Sequence, residues 1–144
     1  MKRKSTAIWK GTGIEGKGTL TSASGVLKNT PYSFSTRFKN EEDIEGTNPE
    51  ELIAAAHSGC YAMALTFMLN KEGFVANELQ VDAAVNIEKN TDHFEITGIH
   101  LDLTGKVEGI STEKFLELAN VAKVNCPVSQ ALKAIPITLS AKLE

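Results

Sequence analysis

The chain has 144 residues, of which 42% are hydrophobic and 23% charged, with a net charge of -3. That size fits one globular domain over residues 1–144 and buries roughly 68–70% of the unfolded surface, enough to fold without a metal or disulfide staple. The longest basic run is Lys2-Arg3-Lys4 and no apolar segment follows it, which excludes nucleic acid as a main partner and reads as a cytoplasmic chain with neither signal peptide nor membrane span.

The first third predicts strands. Ser5–Trp9 and Gly16–Ser22 are short and β-like, punctuated by Gly11, Gly13, Gly16, Gly18 and Gly25. Tyr32–Phe38 alternates, with Tyr32, Phe34, Thr36 and Phe38 on one face and Ser33, Ser35 and Arg37 on the other. Glu41–Gly46 reads as an acidic loop.

Thr47-Asn48-Pro49-Glu50-Glu51 then opens a helix. With Asn48 as N-cap, Pro49 takes the first helical position and Glu51 the third; with Thr47 as cap, Glu50 takes that role. The helix runs to about Glu72, with Gly73 as its stop. Between Leu52 and Leu69 it is apolar on nearly every side, which predicts burial all round. One chain of this size cannot easily surround so long a helix, whereas a dimer packing two together can.

Beyond it, Leu79, Val81, Ala83, Val85 and Ile87 share one face of a strand. Lys89–Asp92 is a turn, and His93–Val107 returns as a strand whose apolar parity switches across Gly98, the mark of a bulge. Ser111 caps a helix to about Val124, Pro127–Lys133 forms a short helix, and Ile137–Leu143 closes the chain as a strand. The order βββ-αββ-αα-β is α+β and lacks the alternation of a doubly wound fold.

The chemistry centres on the two cysteines, Cys60 in the long helix and Cys126 immediately before Pro127. A dithiol in a reducing compartment is either inert or redox-active. Cys60 by itself reads as a small buried hydrophobe. Cys126, at the mouth of a helix, has the local physics that favours thiolate. Arg37 reads equally as a solvated arginine, and Glu50 and Glu51 as first-turn carboxylates favoured by the helix dipole. His57, three residues before Cys60, permits a Cys/His nucleophile–base pair but has no evident orienting third group. A zinc site from His57, Cys60 and Cys126 would need His93 or His100 and matches no usual spacing.

The segments TNPEELIAAAHSGCYAMAL around Cys60 and NCPVSQAL around Cys126 closely resemble the OsmC/Ohr family of thiol-dependent hydroperoxide reductases. Trp9-Lys10-Gly11, the glycine- and threonine-rich run ending at Gly25, and YSFSTRF over 32–38 point to the OsmC branch. The resemblance implies a peroxidatic Cys60, a resolving Cys126, and Arg37 and Glu50 supporting the thiolate, so it reverses the local choice of Cys126 as the attacking sulfur. It also implies an OsmC-like fold with the long helix packed against sheets in an intertwined homodimer whose sites lie at the subunit interface. No cofactor or metal is expected; the partners are an organic hydroperoxide and a dithiol reductant. Phe34, Phe38, Met63 and Phe67 are expected to supply apolar walls. The rival readings are a redox sensor using the same cysteine pair without turnover, a dimerisation protein with inert cysteines, and a Cys/His hydrolase.

Overall fold

A computed structural model describes residues 1–39 and 45–144, so the acidic loop expected over 41–46 lies largely outside the described residues. These residues form two compact units, Met1–Leu52 and Ile53–Glu144.

In the first unit, β1 (Ser5–Lys10), β2 (Lys17–Ser22) and β3 (Thr30–Ser33) form an antiparallel sheet in that order. Trp9 and Tyr32 meet at 5.3 Å between ring centroids. Gly18 lies beneath both rings, where any Cβ would collide with them.

The alternation over Tyr32–Phe38 does not continue as a strand. The chain turns into a short helix, α1 (Phe34–Phe38), capped by Ser33. The Thr36 amide donates to Ser33 Oγ (3.1 Å) and the Ser33 amide donates to Thr36 Oγ1 (2.8 Å). Two reciprocally satisfied backbone donors outweigh a short two-residue pattern. Phe34 and Phe38 become helical neighbours, with ring centroids 4.8 Å apart. Arg37 is therefore a helix residue, and the order becomes βββ-αα-ββ-αα-β.

The next helix, α2 (Pro49–Lys71), begins as the capping pattern predicts. The Glu51 amide donates to Asn48 Oδ1 (2.8 Å), and the Thr47 hydroxyl donates to the Glu51 carboxylate (2.9 Å). Glu51 thus serves the cap. At the far end Gly73 takes φ +86°, while its amide bonds the Asn70 carbonyl and that of Phe74 the Leu69 carbonyl. These bonds form a Schellman stop.

Burial of α2 is one-sided, against the expectation of burial all round. His57, Tyr61, Leu65 and Leu69, spaced by four, are fully buried, whereas Met63 and Phe67 remain 62% and 70% exposed. Residues four apart share one face, and the core of the second unit covers only that face. By length and composition alone α2 could cross a membrane, but its buried stripe belongs to a packed core.

The rest of the second unit is a three-stranded sheet ordered β4 (Ala76–Lys89), β5 (Phe94–Val107), β6 (Ile137–Leu143). β4 and β5 are antiparallel, with a register shift where Asn86 faces Gly98 and Ile87 faces Ile96. Thr97 is the extra residue of the expected bulge, and beyond it Ile99, Leu101 and Leu103 point into the core. β6 pairs parallel to β5, which requires a crossover, and α3 (Thr112–Asn125) and α4 (Pro127–Ala131) supply it. Ser111 caps α3 through the Lys114 amide. Phe115, Leu118, Ala119 and Ala122 of α3 join the core, with Phe115 seated over Gly105, where a Cβ would strike its ring.

Candidate active site

Cys60 sits on the second helical turn beyond Ile53, at the border of the buried stripe, and is half-buried. Cys126 is fully buried and occupies the single residue between α3 and α4. Its amide still donates to the Ala122 carbonyl of α3, while its own carbonyl accepts from the Gln130 amide of α4. Pro127 at the first position of α4 lacks the N–H that would otherwise have been unpaired, so a sharp break between helices is tolerated there. This break delivers the second sulfur to α2.

The thiols of Cys60 and Cys126 are free and lie close to one another. The separation of 66 residues that sequence could not bridge is closed by the fold. Burial pushes the Cys60 thiol up from its ordinary value; the backbone amide of Val128 donates to it and partly offsets this, and the adjacent Cys126 thiol raises it further. The first amide of α4, that of Val128, thus acts on Cys60, the sulfur of the other helix. Nearby, Tyr61 is fully buried, and its hydroxyl donates to the Ala119 carbonyl of α3 at 3.1 Å. Its phenol is pushed far above its ordinary value by burial and by charge at Cys126.

His57 is fully buried, three residues before Cys60, and its Nε2 lies 2.8 Å from Ser129 Oγ. Ser129 is three residues after Cys126 and is itself buried. Sequence reasoning weighed His57 only as a base or a ligand and did not single out Ser129 or the Val128 amide. The signal for the His57–Ser129 pair was their matching offset of three residues from Cys60 and Cys126. Of the other histidines, His93 contacts Asn90, and His100 contacts Thr138 and Ser140. Among the described residues no cluster of three or more His, Cys, Asp or Glu side chains could hold a metal.

The other two expected site residues meet in the first unit. Arg37 Nε donates to both Glu50 carboxylate oxygens, at 3.2 and 3.1 Å, and Nη2 donates to Oε1 at 2.7 Å. Glu50 is 7% exposed, so its charge is matched by a fork-like contact, the geometry that makes a buried carboxylate tolerable. The guanidinium also lies 4.9 Å over the Phe38 ring. Trp9, Tyr32, Phe34, Phe38 and Pro49 join Arg37 around a cavity of about 120 Å³. Met63 and Phe67, also expected as walls, line a groove of the second unit with Ala62, Ala76 and Leu79.

Residues 40–140, which carry both cysteines and Glu50, match the model of the OsmC-like protein family. The chain belongs to that family. It is 45% identical to Peroxiredoxin OsmC of Escherichia coli over 142 residues, covering 99% of this chain and 96% of that protein. It is 29% identical to the organic hydroperoxide resistance protein OhrB of Bacillus subtilis over 117 residues, 81% of this chain and 82% of that one. The crystal structure of OhrB superposes with a TM-score of 0.74 over 99% of this chain and 98% of that one, at 26% identity. The OsmC-like protein of Mycoplasma pneumoniae shares the fold at 15% identity, with a TM-score of 0.77 over 99% of this chain and 97% of that one. The α+β architecture expected from the resemblance is the family fold, with α1 as the element that strand alternation concealed.

Proposed function

We propose that the protein is a thiol-dependent peroxidase that reduces organic hydroperoxides to alcohols. The observation that carries this reading is the pairing of two free thiols, Cys60 and Cys126, one on α2 and the other at the entrance to α4. The relatives named as a peroxiredoxin and as organic hydroperoxide resistance proteins support both the reaction and the substrate class.

The Cys60 thiolate attacks one peroxide oxygen. A sulfur–oxygen bond forms, the O–O bond breaks and the alkoxide leaves as alcohol after taking a proton. Cys60 is then a sulfenic acid. The Cys126 thiol condenses with it, releasing water and closing a disulfide, and an external dithiol reduces the disulfide in two exchange steps. No cofactor enters this sequence.

Attack needs thiolate, and the fold withholds it. An ordinary thiol is only a few per cent ionised at neutral pH, and burial holds Cys60 higher still. Lowering such a thiol by two units requires about 2.7 kcal/mol. A guanidinium about 4 Å away supplies up to about 4 kcal/mol at an effective dielectric near 20. Arg37, held by Glu50, is the group assigned to this task. Its contacts to Glu50 use Nε and one Nη2 hydrogen, so the remaining N–H groups of the fork can face the thiolate. The apolar side chains around Arg37 suit the alkyl part of an organic peroxide better than hydrogen peroxide.

The working protein in this proposal is a cytoplasmic homodimer, built from one peroxidase domain per chain. The exposed Met63 and Phe67 of α2 support an apolar interface there. Cys60→Ser should abolish peroxide consumption. Cys126→Ser should keep one turnover and leave Cys60 as a sulfenic or over-oxidised acid. Stopped-flow kinetics with intact mass decides between these roles, and a Cys126→Ser protein without the first turnover refutes the assignment. Catalytic consumption of peroxide in excess dithiol separates the enzyme from a sensor that reacts once.

A further inference from the structure

The buried pair His57–Ser129 has no part in the steps above, yet it is placed symmetrically about them. His57 precedes Cys60 by three residues on α2, and Ser129 follows Cys126 by three on α4. At that spacing on a helix the Cβ atoms are about 5–6 Å apart. The 2.8 Å contact therefore lies one turn from the sulfur pair on both helices.

Packing alone does not favour histidine at 57. The stripe continues as Tyr61, Leu65 and Leu69, and a leucine would extend it. Instead the imidazole is fully buried, with Nδ1 lacking any partner among the described residues. Burying an unpaired polar atom is costly, and burial keeps the ring neutral by lowering its basicity. The cheaper tautomer carries its proton on Nε2 and donates it to Ser129 Oγ, leaving Nδ1 a bare acceptor. The polar half of the ring thus serves a single contact, the one to α4.

That contact matters because α4 is short and is otherwise held by the Gln130 side chain on the Val124 carbonyl, by Val128 and Leu132 packed against the core, and by the Val128 amide on the Cys60 sulfur, of which only the last is a hydrogen bond to α2. The helix spans five residues, follows a helix break at Cys126, and has no side-chain cap; so short a helix does not persist by itself. Disulfide closure tolerates little error in Cβ placement, with a typical Cβ–Cβ distance of about 3.8 Å. A loosened α4 carries Cys126 out of that range.

We propose that His57 and Ser129 form a buried latch between α2 and α4 that holds Cys126 in register with the Cys60 sulfenic acid and so sets the rate of disulfide closure. Both are positioning residues; neither touches the peroxide. The latch rests on the resolving role assigned to Cys126.

The test compares His57→Gln and His57→Asn with wild type after one equivalent of organic hydroperoxide. The glutamine amide reaches the position of Nε2 and can still bond Ser129, whereas asparagine is one methylene shorter. Stopped-flow kinetics measures closure of the disulfide, and mass spectrometry at rising peroxide measures the split between disulfide and sulfinic acid. His57→Asn should slow closure by about tenfold, as expected when about one hydrogen bond of positioning is lost. It should also divert Cys60 to sulfinic acid, while His57→Gln stays near wild type. Ser129→Ala, which removes one oxygen atom, should behave like His57→Asn and decides the question if a histidine variant does not fold. A structural role alone lowers the urea midpoint without changing the split. Wild-type protein that forms no Cys60–Cys126 disulfide refutes the resolving role and the latch with it. A normal wild-type disulfide, with His57→Asn or Ser129→Ala closing as fast, refutes the latch alone, as does His57→Gln closing as slowly as His57→Asn.

Discussion

Pairing a Glu50→Gln subunit with a Cys60→Ser subunit in one dimer tests how the two halves of the proposed site combine. Glu50 and Cys60 are ten residues apart on α2, a rise of about 15 Å at 1.5 Å per residue. A glutamate side chain reaches only about 5 Å, so along one straight helix about 10 Å remains uncovered. Two copies of α2 packed antiparallel across a dyad would bring Glu50, with the Arg37 it holds, beside the partner's thiol. Glu50→Gln removes the charge from the contacts of 2.7–3.2 Å that hold the guanidinium. A charged hydrogen bond is worth about 1.5–3 kcal/mol, so the homodimeric variant should lose about 10- to 150-fold in its reaction with peroxide. The Cys60→Ser homodimer should be inactive. In the mixed dimer the intact Cys60 faces the intact Glu50 of the other subunit, so one of two sites works and activity should return to about half of wild type. Differently tagged subunits, co-expressed and isolated by two affinity steps, supply the mixed dimer, and peroxide consumption is read per dimer. If it stays as inactive as the parents, Glu50 serves its own chain and the trans arrangement is wrong.

Arg37→Lys should raise the thiol of Cys60 and slow the reaction, because lysine keeps the charge but loses the fork that binds Glu50; an unchanged thiolate absorbance titration would refute this. Tyr61→Phe deletes the hydroxyl that bonds the Ala119 carbonyl and should lower stability by about 1 kcal/mol in urea unfolding, with the peroxide reaction retained. For His57 the folded basicity lies below the ordinary value of 6.5, so below that pH the unfolded chain takes up a proton that the folded chain refuses. Its stability contribution is present above about pH 6.5 and is lost as pH falls toward the folded value. His57→Gln should therefore lose less stability than wild type between pH 7.5 and 5, compared by urea midpoints at each pH.

Local chemistry in the sequence determined much of this protein. Asn48, Pro49 and Gly73 bound α2 because capping and stop signals act within a few residues of backbone. The alternation over Leu79–Ile87 and the parity switch at Gly98 placed β4, β5 and the bulge, since side-chain period follows directly from backbone geometry. The same reasoning failed at Phe34–Phe38, where the reciprocal Ser33–Thr36 cap imposed a helix on a segment too short for its alternation to hold a strand. It also placed burial on every side of α2, because apolar composition does not say how many faces one chain can cover. The two cysteine motifs identified the family. Only the tertiary structure brought Cys60 beside Cys126, aimed the Val128 amide at the sulfur of another helix, paired Arg37 with Glu50 and joined His57 to Ser129. Those contacts span 13 to 72 residues, and at such separations which side chains meet is decided by how the helices pack, which no local pattern encodes.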